Sequence, residues 1–479
     1  MPARRSVLRA IGRGAAALAV VGAAGGALVA ASVLPLPRVE AEPPSTVVQP
    51  AESRQLRVCP GPLLTLADDA TQATDVRSAG PSTLAIAADP ADAAVEQRPL
   101  EVPDDTGGGQ EGAPTAISAQ PGAVQAGMLA GTQSQSVDAD SLRGLAVAAC
   151  AEPSSDSWLV AGATDVGRAG LVLLSNPGDV TSTVDVRVVG STGSVEAPAG
   201  LGIVVAPGTQ RIVSLAGLAP NLRTPVVHVT STGAPVAAAL QHSVVLGLEP
   251  AGVELSTPVA APAERQVVPG FSVVDRRGVD PGDDEAAGDD HPALRLYAPG
   301  GEETAAVVEV RDEQGRAVAS LEVGLTAGRA IDLPLGSLAP GTYSILIQAG
   351  APVIAAARST VLGEGDDPIV ADLAWAGSTG ALLDRAVVAV PSGPGSVLWL
   401  ANPTDATIAA TVSTESGERI VEVPAEGGAS VQAAPGGRLV LEGVEGLHAA
   451  LTYRGQGALA WASVAPPGAL DAPVRVFPQ

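Results

Sequence analysis

Lysine is missing from all 479 residues, and the 27 basic side chains are every one arginine. Without lysine there is no P-loop, no Ser-x-x-Lys nucleophile and no Schiff base, and no Gly-x-Ser-x-Gly elbow stands in for them. Histidine is nearly as scarce. His228, His242, His291 and His448 are scattered with no HExxH or paired spacing, so they read as single strand or surface residues rather than zinc ligands. Aromatic residues number nine: four Trp, three Tyr and two Phe. That leaves little for stacking sugars or bases, and Trp158, Trp375, Trp399 and Trp461 read as core or interface anchors. The net charge of −24 repels phosphate backbones, which excludes nucleic acid as a partner.

What is plentiful is small and aliphatic. Apolar residues make up 46% of the chain and mean hydropathy is +0.28, enough to bury several cores and to exclude a wholly disordered chain. The length corresponds to roughly three or four domains.

Arg4, Arg5, Arg9 and Arg13 precede an uncharged, Ala/Val/Leu-rich stretch from Gly14 to Pro37. A basic flank leading into such a run predicts an export signal or a membrane anchor over residues 1–37, with the N-terminus cytoplasmic and the body outside. A small-x-small site at Val39-Glu40-Ala41 leaves cleavage and secretion open as the alternative. Residues 38–55 are Pro-rich and polar, which suits an extended linker.

Cys59 and Cys150 are the only cysteines, and an even pair in an exported chain reads as one structural disulfide, with two free thiols as the rival reading. They bound a β segment over 56–150. Within it, residues 99–142 are rich in Gly, Gln, Ser, Asp and Pro, and part of this stretch reads as a mobile loop.

From about residue 155, short Val/Ile/Leu/Thr runs alternate with Gly, Pro, Asn and Asp, an all-β pattern. One sequence recurs three times: Leu171–Gly178, Leu294–Gly300 and Leu398–Thr404, each an apolar strand ending in a Pro turn. An alternating strand follows each, carrying Val184, Val186 and Val188, then Val308 and Val310, then Ile408, Ala410 and Val412. Hairpin turns come next at Ser191-Thr192-Gly193, Glu313-Gln314-Gly315 and Glu415-Ser416-Gly417. Leu218-Ala219-Pro220 then matches Leu338-Ala339-Pro340. Gly233-Ala234-Pro235-Val236 matches Gly350-Ala351-Pro352-Val353, with Gly455-Gln456-Gly457-Ala458 taken as the third copy. The expected architecture is three tandem immunoglobulin-like β-sandwich modules, at 151–262, 263–368 and 369–479, arranged like beads.

The Arg-rich anchor, Val-Cys-Pro-Gly at 58–61, the Trp158-Leu-Val-x-Gly segment, Leu-Ser-Asn-Pro-Gly at 174–178 and the repeated Pro-Val-x-Ala edge together resemble an uncharacterised family of exported, membrane-anchored proteins from high-GC Gram-positive bacteria. The resemblance covers nearly the whole chain. It implies an envelope location and carries no catalytic residues.

One charge cluster stands out: Asp280, Asp283, Asp284, Glu285, Asp289 and Asp290. Clustered carboxylates could hold calcium, but the spacing departs from the EF-hand loop, and a solvated acidic loop is the better reading. No catalytic, cofactor or metal residues are expected, and the only site pair is Cys59 with Cys150. The functional expectation is a non-enzymatic, membrane-tethered envelope protein acting as a scaffold or spacer for other envelope proteins. The alternative is a module binding cell-wall or surface polysaccharide and assisting glycan assembly.

Overall fold

Alternation decides the local structure. In the strand Ser182–Gly190, Val184, Val186 and Val188 are buried while Thr183 and Arg187 are exposed, as a pleated strand with one dry face requires. The same period recurs in outer-sheet strands such as Thr304–Arg311 and Ile408–Thr414 of the computed structural model, whereas inner-sheet strands such as Ala293–Tyr297 are buried on both faces; the structure describes residues 46–48, 54–66, 76–107, 112–274, 288, 290–363, 370–455, 457–466 and 474–476. The predicted anchor and most of the linker lie outside the described residues, and no described helix is long and apolar enough to cross a membrane. Two short strands, Thr46–Val48 and Val474–Val476, pair antiparallel in a unit of their own. Residues 50–472 form the other unit.

That unit is built from one plan used four times. Repeat B, from Asp156–Val160 to Glu249–Ser256, repeat C, from Ala263–Val273 to Val370–Gly377, and repeat D, from Arg385–Ala389 to Ala458–Val464, each fold into two antiparallel sheets. Counting strands along each repeat, and setting aside the short Ile203–Val205 that also pairs with the third strand of repeat B, the outer sheet has the order first, sixth, third, fourth, and the inner sheet fifth, second, seventh, eighth. In repeat C the sixth and seventh positions are halves of one strand, Gly341–Leu362, which passes from one sheet to the other. The sandwich expectation therefore holds at the level of paired β-sheets, but not the immunoglobulin order, in which the first two strands are neighbours. Here the first strand pairs with the sixth. Periodicity counts strands and does not say which ones pair.

The segment 56–150 proves to be a fourth copy, repeat A. Its strands Gln55–Cys59, Thr115–Ala119 and Val95–Pro99 form the outer sheet, and Thr83–Ala88, Leu129–Ala139 and Leu142–Ala149 the inner one, matching the plan without its fourth and fifth strands. The stretch of which part was read as a mobile loop thus contains two whole strands, Thr115–Ala119 and Leu129–Ala139. Its polar residues had suggested otherwise, but the side chains of Gln133 and Gln135 are buried and bond the backbone at Gly61, Leu63 and Gly80. Cys59 and Cys150 are joined in a disulfide that ties the first strand of this repeat to the end of its last.

Two boundaries move. Val370–Gly377, assigned from sequence to the last module, pairs with the preceding strand of repeat C and completes its inner sheet. Gly455–Ala458 is the turn between the seventh and eighth strands of repeat D, whereas Gly233 and Gly350 lie between the sixth and seventh. The three hairpin turns sit between third and fourth strands in every copy, as expected. The Asn-Pro turns also repeat at the atomic level. The Asn176 amide donates to the Val180 and Val205 carbonyls and accepts from Gly178, and Asn402 does the same with Ala406, Val423 and Thr404.

The repeats are not beads. The first strand of each, or the loop after it, docks on the next: repeat C on the second and seventh strands of D, and D on those of A. Between A and B, Gln210 and Gln241 of B bond the backbone of Pro60 and Leu64. The order A to B to C to D closes back on A, where Asp89 accepts from Arg385 and Arg438. At the middle of the second strand one outward residue serves as the docking knob, and it differs at each contact. Leu173 packs with Leu63. Arg295, held by Asp332, donates to the carbonyls of Gly162, Arg223 and Pro225. The Trp399 indole donates to Ser344 Oγ.

Candidate functional site

In an isolated sandwich the eighth strand would be a free sheet edge. Here the four eighth strands, Leu142–Ala149, Glu249–Ser256, Val370–Gly377 and Ala458–Val464, each lie against the next in a closed ring. Such close approach needs small residues. A Cβ on Gly144 would lie 2.4 Å from Asp372 Oδ1, and one on Gly252 would lie 3.0 Å from the Leu373 nitrogen; both glycines have positive φ.

At the meeting point stands Asp372, fully buried. Its Oδ1 accepts from the N–H groups of Val253 (3.3 Å) and Leu373 (2.9 Å), and its Oδ2 from those of Leu145 (2.9 Å) and Leu459 (3.0 Å). One carboxylate therefore takes one backbone N–H from each of the four repeats. Burial pushes this carboxyl up to about 7, against the downward pull of the four N–H groups. Glu254, on the neighbouring strand, is also fully buried and accepts from Leu255 (2.8 Å) and Trp375 (3.2 Å). Burial first, and then the Asp372 charge, hold its carboxyl well above the usual range. Among the described residues these are the two buried acids, and both are sealed from solvent. They join modules rather than face a cleft.

The residues singled out from sequence are dispersed. His228 stacks on Trp158 (centroids 3.7 Å apart) and approaches Asp156. His242 is buried beside Gly162, His291 contacts Asp290, and His448 bonds the Thr379 carbonyl. Burial lowers the His448 imidazole to about 4, so it is neutral. Among the described residues no three His, Cys, Asp or Glu side chains group as a metal would need. Of the Asp280–Asp290 cluster only Asp290 is described.

All four tryptophans are buried. Trp375 is 3% exposed, with the Arg295 guanidinium 4.5 Å above its ring, and Trp399 is 1% exposed. Neither offers a flat face to a sugar. A groove of about 520 Å³ runs between repeats C and D, lined by Asp312, Arg316, Tyr343, Trp399, Gln432 and Arg454 among others. Several of its polar atoms are already used: Asp312 bonds Arg316, Tyr343 donates to the Ala339 carbonyl, and Trp399 to Ser344.

A family described as of unknown function, DUF5719, matches residues 106–435, more than two thirds of the chain. The chain belongs to this family. The match begins inside repeat A and ends inside repeat D, so it takes in all of repeats B and C, while Pro60 and Leu64 of the contact between A and B lie before it. No curated protein matches. Among solved structures, the crystal structure of Thermotoga maritima 1070 is similar at 19% identity over 25% of this chain and 95% of that one, with a TM-score of 0.19. The infectious bursal disease virus VP2 subviral particle is similar at 10% identity over 85% and 80%, with a TM-score of 0.10. Likenesses this low carry no argument about the fold.

The axial site was missed in the sequence, although a signal for it exists. Leu145-Ala-Val-Ala148, Leu373-Ala-Trp-Ala376 and Leu459-Ala-Trp-Ala462 repeat one another, and each is preceded by Gly, Asp or Ala. The position before the Leu is the one that meets the axis.

Proposed function

We propose that this protein is a non-enzymatic component of the cell envelope, tethered to the membrane by its N-terminal apolar segment, whose ring of β modules serves as a scaffold for other envelope proteins. The observation that carries the reading is the ring closure. Four modules are held to one another by buried polar contacts that converge on Asp372, a construction suited to presenting surfaces at fixed positions. The Arg-rich flank and apolar run support export, and the Cys59–Cys150 disulfide is in keeping with an oxidising compartment. The groove between repeats C and D supports a second reading, a polysaccharide-binding module, though without a tryptophan platform.

Crosslinking in intact cells followed by pull-down through a C-terminal tag, with both proteins and glycans identified, separates the two. Recovery of one or two specific envelope proteins is the expected result. Recovery of polysaccharide alone, lost when Arg454 and Gln432 are replaced by Ala, would overturn the scaffold reading in favour of the second.

A further inference from the structure

The outer sheets end in edge strands, and an edge offers unpaired backbone groups to any passing strand unless it is short or guarded by charge or proline. Three of the four repeats show such guards. Val95–Pro99 of repeat A carries Glu96, Arg98 and Pro99. Repeat B ends in the very short Gly193–Ser194 and Ile203–Val205. Gly417–Val423 of repeat D carries Glu418, Arg419 and Glu422. The fourth strand of repeat C, Ala317–Leu325, is nine residues long, has no proline and bears one charge, Glu322. Its inward side chains Ala319, Leu321 and Val323 pack on the core yet stay partly exposed, and Val318 on the other face is 45% exposed. Among the described residues no strand pairs with the outer edge of Ala317–Leu325.

The pattern of this strand is complementary to itself. If two copies meet antiparallel about a twofold axis at Leu321, Leu321 lies opposite its mate, Ala319 opposite Val323, and Ser320 opposite Glu322. The inward apolar rows then join into one row, and no like charges face each other. We infer that Ala317–Leu325 is a docking edge for a second copy of this chain, joining two four-stranded outer sheets into one eight-stranded sheet. This does not depend on the scaffold reading. The net charge of −24 opposes association at low salt, so the contact strengthens as salt screens it.

The test is sedimentation equilibrium of the full chain in detergent micelles at 0.15 M salt, from 1 to about 200 µM. The wild type is expected to form a reversible dimer. Ser320→Glu places carboxylates opposite Glu322 on both sides of the axis and should weaken the dimer at least tenfold. Ser320→Lys forms two ion pairs instead and should hold or tighten it. Ile420→Lys on the edge of repeat D should change nothing. Ser320 is solvent-facing, so both of its variants should fold, with circular dichroism as the control. A wild type that stays monomeric to 200 µM, or a dimer indifferent to the sign of the charge at position 320, would overturn the inference.

Discussion

Replacing Asp372 by Asn tests whether one carboxylate holds four modules. An Asn keeps a single oxygen, so two of the four N–H groups now face an amide that can only donate. A buried N–H left without an acceptor costs about 1–3 kcal/mol, so the variant forgoes about 2–6 kcal/mol of contacts made by the ionised carboxylate, while sparing the burial of its charge. The pH dependence gives a second, independent reading. Asp372 titrates at about 7 in the folded protein against an ordinary value of 3.8, so the folded state binds the proton more tightly than the unfolded one. Stability is then highest at low pH and falls as pH rises from about 4 through 7, by about 4 kcal/mol in all, of which about 3 kcal/mol lies between pH 5 and 8. The buried Glu254 acts in the same direction, and it is the one other charged group on the four strands that faces Asp372. Urea unfolding with the disulfide intact, at pH 5, 6, 7 and 8, measures both effects. The wild type should weaken towards pH 8, whereas Asp372→Asn, which like the protonated acid presents one accepting oxygen and one donating group, should lie within about 1 kcal/mol of it at pH 5 and be flatter across the series. A wild type whose midpoint rises with pH, or an Asn variant as steeply pH-dependent as the wild type, would refute the reasoning.

Three further outcomes are expected. Gly144→Ala combines positive φ with a Cβ pressed against Asp372, and should cost at least about 3 kcal/mol, seen as a lowered thermal midpoint. Asp332→Asn leaves the buried Arg295 guanidinium without its counter-charge and should cost about 3 kcal/mol, whereas Arg316→Ala, at an exposed pair, should cost under about 1 kcal/mol in the same assay. Reducing the Cys59–Cys150 bridge, which spans 91 residues, should remove about 4–5 kcal/mol in the chain-entropy picture, read as a shift in urea midpoint with and without reductant.

The legible part of this fold is whatever repeats along the chain. The Asn-Pro turns after Ser175 and Ala401 and the alternation of Val184, Val186 and Val188 could be read because each is set by neighbours a few residues away. Repeat A escaped because it lacks two of the strands, because its second strand ends in Asp89-Pro90 rather than Asn-Pro, and because its Gln-rich seventh strand buries polar side chains that composition assigns to loops. Asp372 escaped for a different reason. Its partners come from residues 145, 253, 373 and 459, and only the closed ring shows that these four positions coincide.

The seam between repeats A and D sets the order of events when the chain folds. Asp89 waits for Arg385 and Arg438, 296 and 349 positions later, so nearly the whole polypeptide must emerge before the first module meets its last neighbour. Contacts so distant in sequence form slowly, and until they do, repeat A presents bare the surface around Ile86 that Val387, Ala389 and Val440 later cover. During that interval the chain is most open to misassembly, and a copy of repeat D from another molecule would find the same surface waiting.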